Sequence, residues 1–545
     1  MAVNYKNKTK IGKRGTPTMT RKILSLLLAI TMLVLPVITT SCNLGGGDVT
    51  TTPDTTTGDD AATTPGGNTD VTTPGGNTDV TTPGENADVT TPGTDTPVVP
   101  PVTEGKEVDL GTEEITIVFY HTMGESLRAV LDKYIVEFNQ LYPNIKIEHK
   151  QVGGYDDVRN QIQTEITVGD QPNIAYCYPD HVALYNIAKA VQTLDEYIES
   201  IDFITRADGT TETIGLTEKQ IGNFIDGYYE EGRAFGDGKM YTLPMSKSTE
   251  VLYYNKTFFE ANNIPVPTTW DELEAVCAQI KALDPTCIPL GYDSEANWFI
   301  TMCEQLGSPY TSATKGQEFL FNNQVNRDFV ARFRNWYELG YVTTQEISGG
   351  YTSALFTMDP AEVGNCYMCI GSSAGANHQI PKNEDGTFKF EVGIVSVPQA
   401  NPDAPKVISQ GPSLCIFKKA NKNEVLASWL FVKFLTTNLN FQAEFGMTSG
   451  YIPVLENVTD NEVYANELDY ADGYEGLPLL ATLVALEQAD AYYTSPAFNG
   501  SSAARDEVGK LIQRCLIDAS CSTPEGIFAA FEEAVAACKY QIGAQ

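Results

Sequence analysis

The chain is short of positive charge. Its 545 residues carry 36 lysines and arginines against 70 aspartates and glutamates, a formal net charge of −34 at pH 7. Nucleic-acid phosphates are bound by basic stripes, so this balance excludes a nucleic-acid partner. It excludes a polybasic membrane contact for the same reason. Ligand-spaced histidines are also missing. Of 11 cysteines only Cys366 and Cys369 stand as C-x-x-C; Ile370-Gly371-Ser372-Ser373 follows them and no second pair accompanies them, so no zinc site is assigned. Cys515 with Cys521, and Cys277 with Cys287, are near enough in sequence to bridge, and the sequence leaves their oxidation open. The chain has no G-x-S-x-G, no H-E-x-x-H and no P-loop. Asp156-Asp157, Glu230-Glu231 and Asp271-Glu272 offer carboxylates for a surface glycosidase. That chemistry needs two carboxylates facing each other about 5–10 Å apart, which adjacent exposed residues rarely achieve. No catalytic residue, metal or cofactor is assigned.

A long hydrophobic run is missing too. Ile23 to Ile38 is apolar but interrupted by Ser25, Thr31 and Pro36, and it falls short of the roughly 20 residues of a membrane span. It follows seven basic residues within 1–41 and no acidic ones, whose removal takes the net charge from −34 to −41. This is the pattern of a signal peptide. Ile38-Thr39-Thr40-Ser41-Cys42 then resembles a bacterial lipobox, with Thr39 where leucine is usual and Cys42 as the thiol that receives lipid. Two or three acyl chains at about 0.8 kcal/mol per buried methylene would hold the protein on a membrane, facing outward. From residue 42 to 112 the chain is rich in threonine, proline and glycine, with TTPGGNTDV at Thr63, again at Thr72, and TTPGENADV at Thr81. So little apolar surface cannot offset ordering entropy, and the stretch reads as a disordered tether with a span of roughly 45 Å.

The remainder, with 42% hydrophobic residues in the whole chain, is globular from residue 113 to 545. Ile115 to Tyr120 reads as a strand and Leu127 to Leu141 as a helix stopped by Pro143. Ile145 to His149 is a second strand, Val158 to Val168 a helix and Ile174 to Tyr178 a third strand. That alternation implies a parallel sheet covered on both faces, whose ligands meet the carboxyl ends of strands. The loops His121 to Ser126, Gly153 to Asp156, and Pro179-Asp180-His181 are therefore candidates.

Asp226 to Leu273 punctuates the middle of the chain: DGYYEEGRAFGDGKMYTLPMSKSTEVLYYNKTFFEANNIPVPTTWDEL. Thr269 with Glu272 three residues on is a capping box. The DGK-x-Y-x-LP, LYYNK and P-x-TW-D-E-L elements here resemble the signature of extracellular solute-binding proteins of ABC importers, the group that includes oligosaccharide- and glycerol-3-phosphate-binding proteins. Phe119 to Leu127, Gly371 to Gly375, Gln410 to Leu414 and Ser449 to Val454 match further pieces in the family's order. The resemblance implies a two-lobed α/β fold of the periplasmic-binding-protein type II class, with mostly parallel sheets and an interlobe cleft. It implies one lobe over about 113–247 and 408–450 and the other over about 250–405 and 455–545. It also implies a monomer that closes on ligand and docks on membrane permease subunits.

For the ligand site the resemblance points first to Trp298, as an aromatic face for sugar C–H groups. Tyr155 and Tyr451 are expected beside it. Ser248, Ser372 and Ser373 would offer hydroxyls, Gly411 a backbone amide, and Asp180 a carboxylate for paired hydroxyls. Arg505 is a shifted match to an arginine that meets phosphate in the glycerol-phosphate branch, and the helix Ala503 to Leu516 could equally hold it on an exposed face. A dianion would need a clear cationic cluster; with only Lys247 and Arg505 in view, a neutral carbohydrate, an oligosaccharide, is the expected ligand. Glycerol 3-phosphate or a glycerophosphodiester is the alternative, and a surface glycan sensor or glycosidase a further one.

Overall fold

The computed structural model describes residues 104–469, 476–494 and 496–543. The leader, Cys42 and the nine-residue repeats lie outside the described residues. The first sheet begins with β1 (Ile115–His121), β2 (Ile145–Gln151) and β3 (Ile174–Cys177), where the sequence texture predicts strands. The helix Glu125–Leu141 presents Val130, Leu131, Tyr134, Ile135 and Phe138 to the core, the i, i+4 spacing of an apolar stripe. A small hairpin, β4 (Phe203–Thr205) with β5 (Thr211–Thr213), precedes β6 (Thr242–Pro244). The chain then crosses to a second sheet built from β7 (Glu250–Asn255), β8 (Leu290–Tyr292), β9 (Val342–Thr344), β10 (Met368–Ser372) and β11 (Val392–Ser396). After β12 (Val407–Ser409) it returns as β13 (Ser413–Ile416), and β14 (Tyr492–Thr494) later pairs with β12.

Strand order is β2-β1-β3-β13-β6 in the first sheet and β11-β7-β10-β8-β9 in the second. In each sheet four strands run one way and one is reversed: β13 in the first, β7 in the second. The reversed strand is in both cases the one that enters from the crossing. Ser413 of β13 pairs with Cys177 and Pro244, and Glu250 of β7 pairs with Ser372. The carboxyl ends of β3, β6 and β10 therefore gather at the hinge, where an open α/β sheet presents its ligand loops.

Each lobe has its own core. Phe119, Phe138, Trp429 and Phe431 belong to the first, and Trp270, Trp298, Phe333 and Trp336 to the second. All four tryptophans of the chain are at most 2% exposed. The ten cysteines among the described residues are buried and unbridged. Past Val454 the chain stays with the first lobe for longer than the expected boundary at 455. Leu455 bridges to Phe224, the amide of Asn457 donates to Asn223, and the helix Glu462–Asp469 packs on Leu439–Ser449. The helix Leu477–Glu487 then packs on β7, β11 and the turn Ser373–Gln379 of the second lobe.

Two passages between the lobes, at Lys247–Ser248 and at Gln410, are bonded to each other and to the first-lobe segment at Ile452. Lys247 and Ile452 exchange backbone hydrogen bonds, and so do Ser248 and Gln410 at 2.7 and 2.9 Å. Beneath them Lys247, fully buried, donates to the Glu231 carboxylate and to Ser413 Oγ at 3.1 Å. Gly411 makes the close approach possible. Its φ is +102°, and a Cβ there would stand 2.8 Å from Lys247 Cα and from the Ser246 carbonyl. Gly411→Ala is expected to cost about 1–3 kcal/mol of stability through this strain, read as a lowered urea midpoint with an unchanged slope.

Candidate ligand cleft

Between the lobes, beside the hinge, Tyr178, Pro179, Asp180 and Glu231 of the first lobe face Thr494 and Arg505 of the second across Ile408 to Gly411. The cavity they enclose is about 10 Å³, the size of one water. Drug-sized ligands occupy about 300–1,000 Å³, so admitting one requires the lobes to part.

The first-lobe wall is aromatic. Tyr178 follows β3 directly and Tyr155 opens the helix after β2, so both lie at carboxyl ends of parallel strands. Their rings stack at 4.3 Å between centroids, and the Tyr155 and Tyr451 hydroxyls lie 3.2 Å apart. Asp180 stands in the first turn of the helix Pro179–Ile187, which favours its anion. It is 2% exposed. Its Oδ2 accepts from Ser502 Oγ at 2.7 Å, while Oδ1 is buried without a hydrogen-bond partner. Burial opposes ionisation of Asp180, but His181, Arg505, the Ser502 hydrogen bond and Arg159 outweigh it and hold the carboxyl below its ordinary range.

Arg505 supplies the opposite charge. The helix Ser501–Ile517 starts at the cleft, so the half-buried Arg505 turns into it instead of lying on an exposed face. Its guanidinium lies 6.0 Å from the centroid of the Tyr178 ring, and Nη2 donates to Asn297 Oδ1 at 2.5 Å. Asn297 in turn donates from Nδ2 to Glu250 Oε1 at 3.1 Å and to Gln410 Oε1 at 2.9 Å. One side chain thus ties the cleft's cation to β7 and to the second passage of the hinge.

Burial pushes the Glu250 carboxyl up to about 7, against hydrogen bonds from Tyr292 and Asn297 and the charge of Arg505 that favour the anion. The folded form therefore binds this proton more tightly than the unfolded chain does. Glu250 contributes its full stability below about pH 4.5, loses it as pH rises to about 7, and changes nothing above; the loss is up to about 3 kcal/mol. Glu250→Gln, which mimics the protonated acid, is expected to gain stability relative to the parent as pH rises from 5 to 8, read by urea unfolding at each pH.

The residues expected at the site fall into three groups. Asp180, Arg505 and Gly411 line the cleft, and Tyr155 and Tyr451 stand behind it, Tyr155 stacked on Tyr178 and bonded to Tyr451. Ser248, Ser372 and Ser373 serve the hinge: Ser248 through its backbone, Ser373 Oγ by accepting from the Thr249 amide at 3.4 Å, Ser372 Oγ by accepting from the Ala374 amide at 3.2 Å. Trp298 is not on the cleft. It is fully buried, stacked on Phe333 at 3.8 Å and Tyr292 at 4.9 Å in the second lobe's core. The helix Glu295–Gln305 turns Asn297 to the cleft and its neighbour to the core. Sequence reasoning passed over Tyr178, Asn297 and Ser502; the strand-end rule that selected Asp180 would have reached Tyr178 two residues further back.

Two lobes, crossings bonded to each other at the hinge and a cleft lined by aromatic and hydrogen-bonding groups define a solute-binding protein. The model of the bacterial extracellular solute-binding protein family matches residues 133–471, and the chain belongs to that family, whose members serve ABC importers. The sn-glycerol-3-phosphate-binding periplasmic protein UgpB of Escherichia coli K12 is 25% identical over 361 residues, covering 63% of this chain and 75% of the relative. The cyclic alpha-maltosyl-1,6-maltose binding protein of Arthrobacter globiformis has a similar fold, with a TM-score of 0.57 at 19% identity over 78% of this chain and 100% of that one. UgpB of Mycobacterium tuberculosis, solved in complex with glycerophosphocholine, gives 0.60 at 16% identity over 79% and 99%. No helix among the described residues is long and apolar enough to cross a membrane.

Proposed function

We propose that this chain captures a neutral carbohydrate, an oligosaccharide, in the interlobe cleft and delivers it to the permease of an ABC importer. It acts as a monomer held to the outer face of the cell membrane by lipid on Cys42. The observation that carries this reading is the pairing of the Tyr155–Tyr178 stack with the unpartnered Asp180 Oδ1. An aromatic face takes the C–H side of a sugar ring and the carboxylate takes its hydroxyls. Lys247 is already neutralised by Glu231, and Arg505 stands near Asp180, so the cavity offers no surplus of positive charge to a dianion. The maltosyl-maltose specificity in the name of the Arthrobacter relative supports the same class.

A second reading, a glycerophosphodiester, draws on the placement of Arg505 over the Tyr178 ring. A guanidinium would meet a single phosphate charge there, and tyrosine faces attract quaternary ammonium groups. A thermal-shift screen of the full chain separates the two. Mono-, di- and oligosaccharides are set against glycerol 3-phosphate and glycerophosphocholine; a midpoint raised by a neutral sugar supports the first reading, and one raised by the phosphate esters alone replaces it with the second.

A further inference from the structure

Side chains of the two lobes bond directly to one another at the cleft mouth. Arg159, on the first-lobe helix Tyr155–Ile166, reaches Asp506 on the second-lobe helix Ser501–Ile517 with two parallel bonds, Nη1 to Oδ1 at 3.0 Å and Nη2 to Oδ2 at 3.1 Å. Asp180 and Ser502 make a bond across the same junction at 2.7 Å. Arg159 is 6% exposed, and its other partners are Asp156 at 3.3 Å and Asn160 at 3.2 Å on its own helix. A guanidinium at this depth sits on the lobe junction and not in either lobe's core.

We infer that Arg159–Asp506 and Asp180–Ser502 form a clasp that closes the cleft without needing ligand as the bridge. Arg159 and Asp506 are thus positioning residues that set how often the site is shut. A bidentate arginine–carboxylate pair is directional and strong in contact. The desolvation of buried Arg159 and half-buried Asp506 offsets much of that gain. When the lobes part both groups regain water, so the clasp favours the closed form by a modest margin and leaves both forms accessible. Ligand then needs only a modest preference for the closed form to shift the population. The inner bond has a second consequence. Ser502 occupies Asp180 Oδ2 as a sugar hydroxyl would, and Oδ1 is left for the ligand, so the clasp and the ligand can hold Asp180 together.

Hydroxyl-radical footprinting of the full chain without added solute, read residue by residue by mass spectrometry, tests this independently of which ligand binds. Asp506→Ala and Ser502→Ala are each expected to raise oxidation of Tyr155 and Tyr178 about threefold, because Tyr178 lines the cleft and Tyr155 stacks on it. Trp429 and Trp336, fully buried in the two cores, are expected to stay at parent levels. Unchanged Tyr155 and Tyr178 would overturn the clasp. A rise shared by the core tryptophans would also overturn it, since it would mean general loosening. Neither result depends on whether the solute is a sugar.

Discussion

Trp298→Ala is expected to lower stability by about 3–5 kcal/mol and to leave the affinity of the folded protein for its solute within about twofold. The ring is wedged between Tyr292 and Phe333 and packs near Trp336 at 6.4 Å. Removing it deletes a large buried surface and leaves a cavity that a sheet-and-helix core closes only in part. Urea unfolding gives the stability change, and calorimetry well below the unfolding midpoint gives the affinity. A variant of normal stability that binds tenfold more weakly would return Trp298 to the ligand.

Asp180→Ala and Arg505→Ala are each expected to weaken sugar binding about 10- to 100-fold while the fold survives. Hydrogen bonds to a charged group are worth about 1.5–3 kcal/mol, and both side chains carry their charge into a cavity with little water to replace them. Asp180→Ala also breaks the inner bond of the clasp to Ser502, so its loss includes a smaller closed population. Arg505→Ala leaves that bond alone but frees Asn297 Oδ1. Calorimetric titration with the sugar selected by the screen measures both. Affinity unchanged in both variants would remove the cleft floor from the account.

Much of the fold was legible in the chain. Ile115, Ile117 and Phe119, and Ile145 with Ile147, write the alternation and the β-branched runs of buried strands directly into the sequence. The lobe boundary near 455 was not legible. Leu455 and Asn457 return to Phe224 and Asn223, residues more than two hundred positions away, and no local pattern carries that pairing. The site was half legible for a similar reason. A resemblance identifies a helix such as Glu295–Gln305 but not which face it turns inward, and one residue of helix rotates about 100°. Asn297 and Trp298 therefore point to cleft and core respectively. Arg505 shows the converse. Read alone it is one basic residue on a polar helix; only the packing of Ser501–Ile517 against Pro179–Ile187 brings it over Tyr178.

The central claim is that a neutral sugar binds between the lobes at Tyr155, Tyr178, Asp180 and Arg505. The crystal structure of the complex with the sugar that gives the largest thermal shift tests it most directly. Electron density for a ring against the Tyr155 and Tyr178 faces, with hydroxyls on Asp180 Oδ1 and Arg505, is the predicted result. Density elsewhere, such as the outer groove of the second lobe between Arg327 and Phe528, would contradict it.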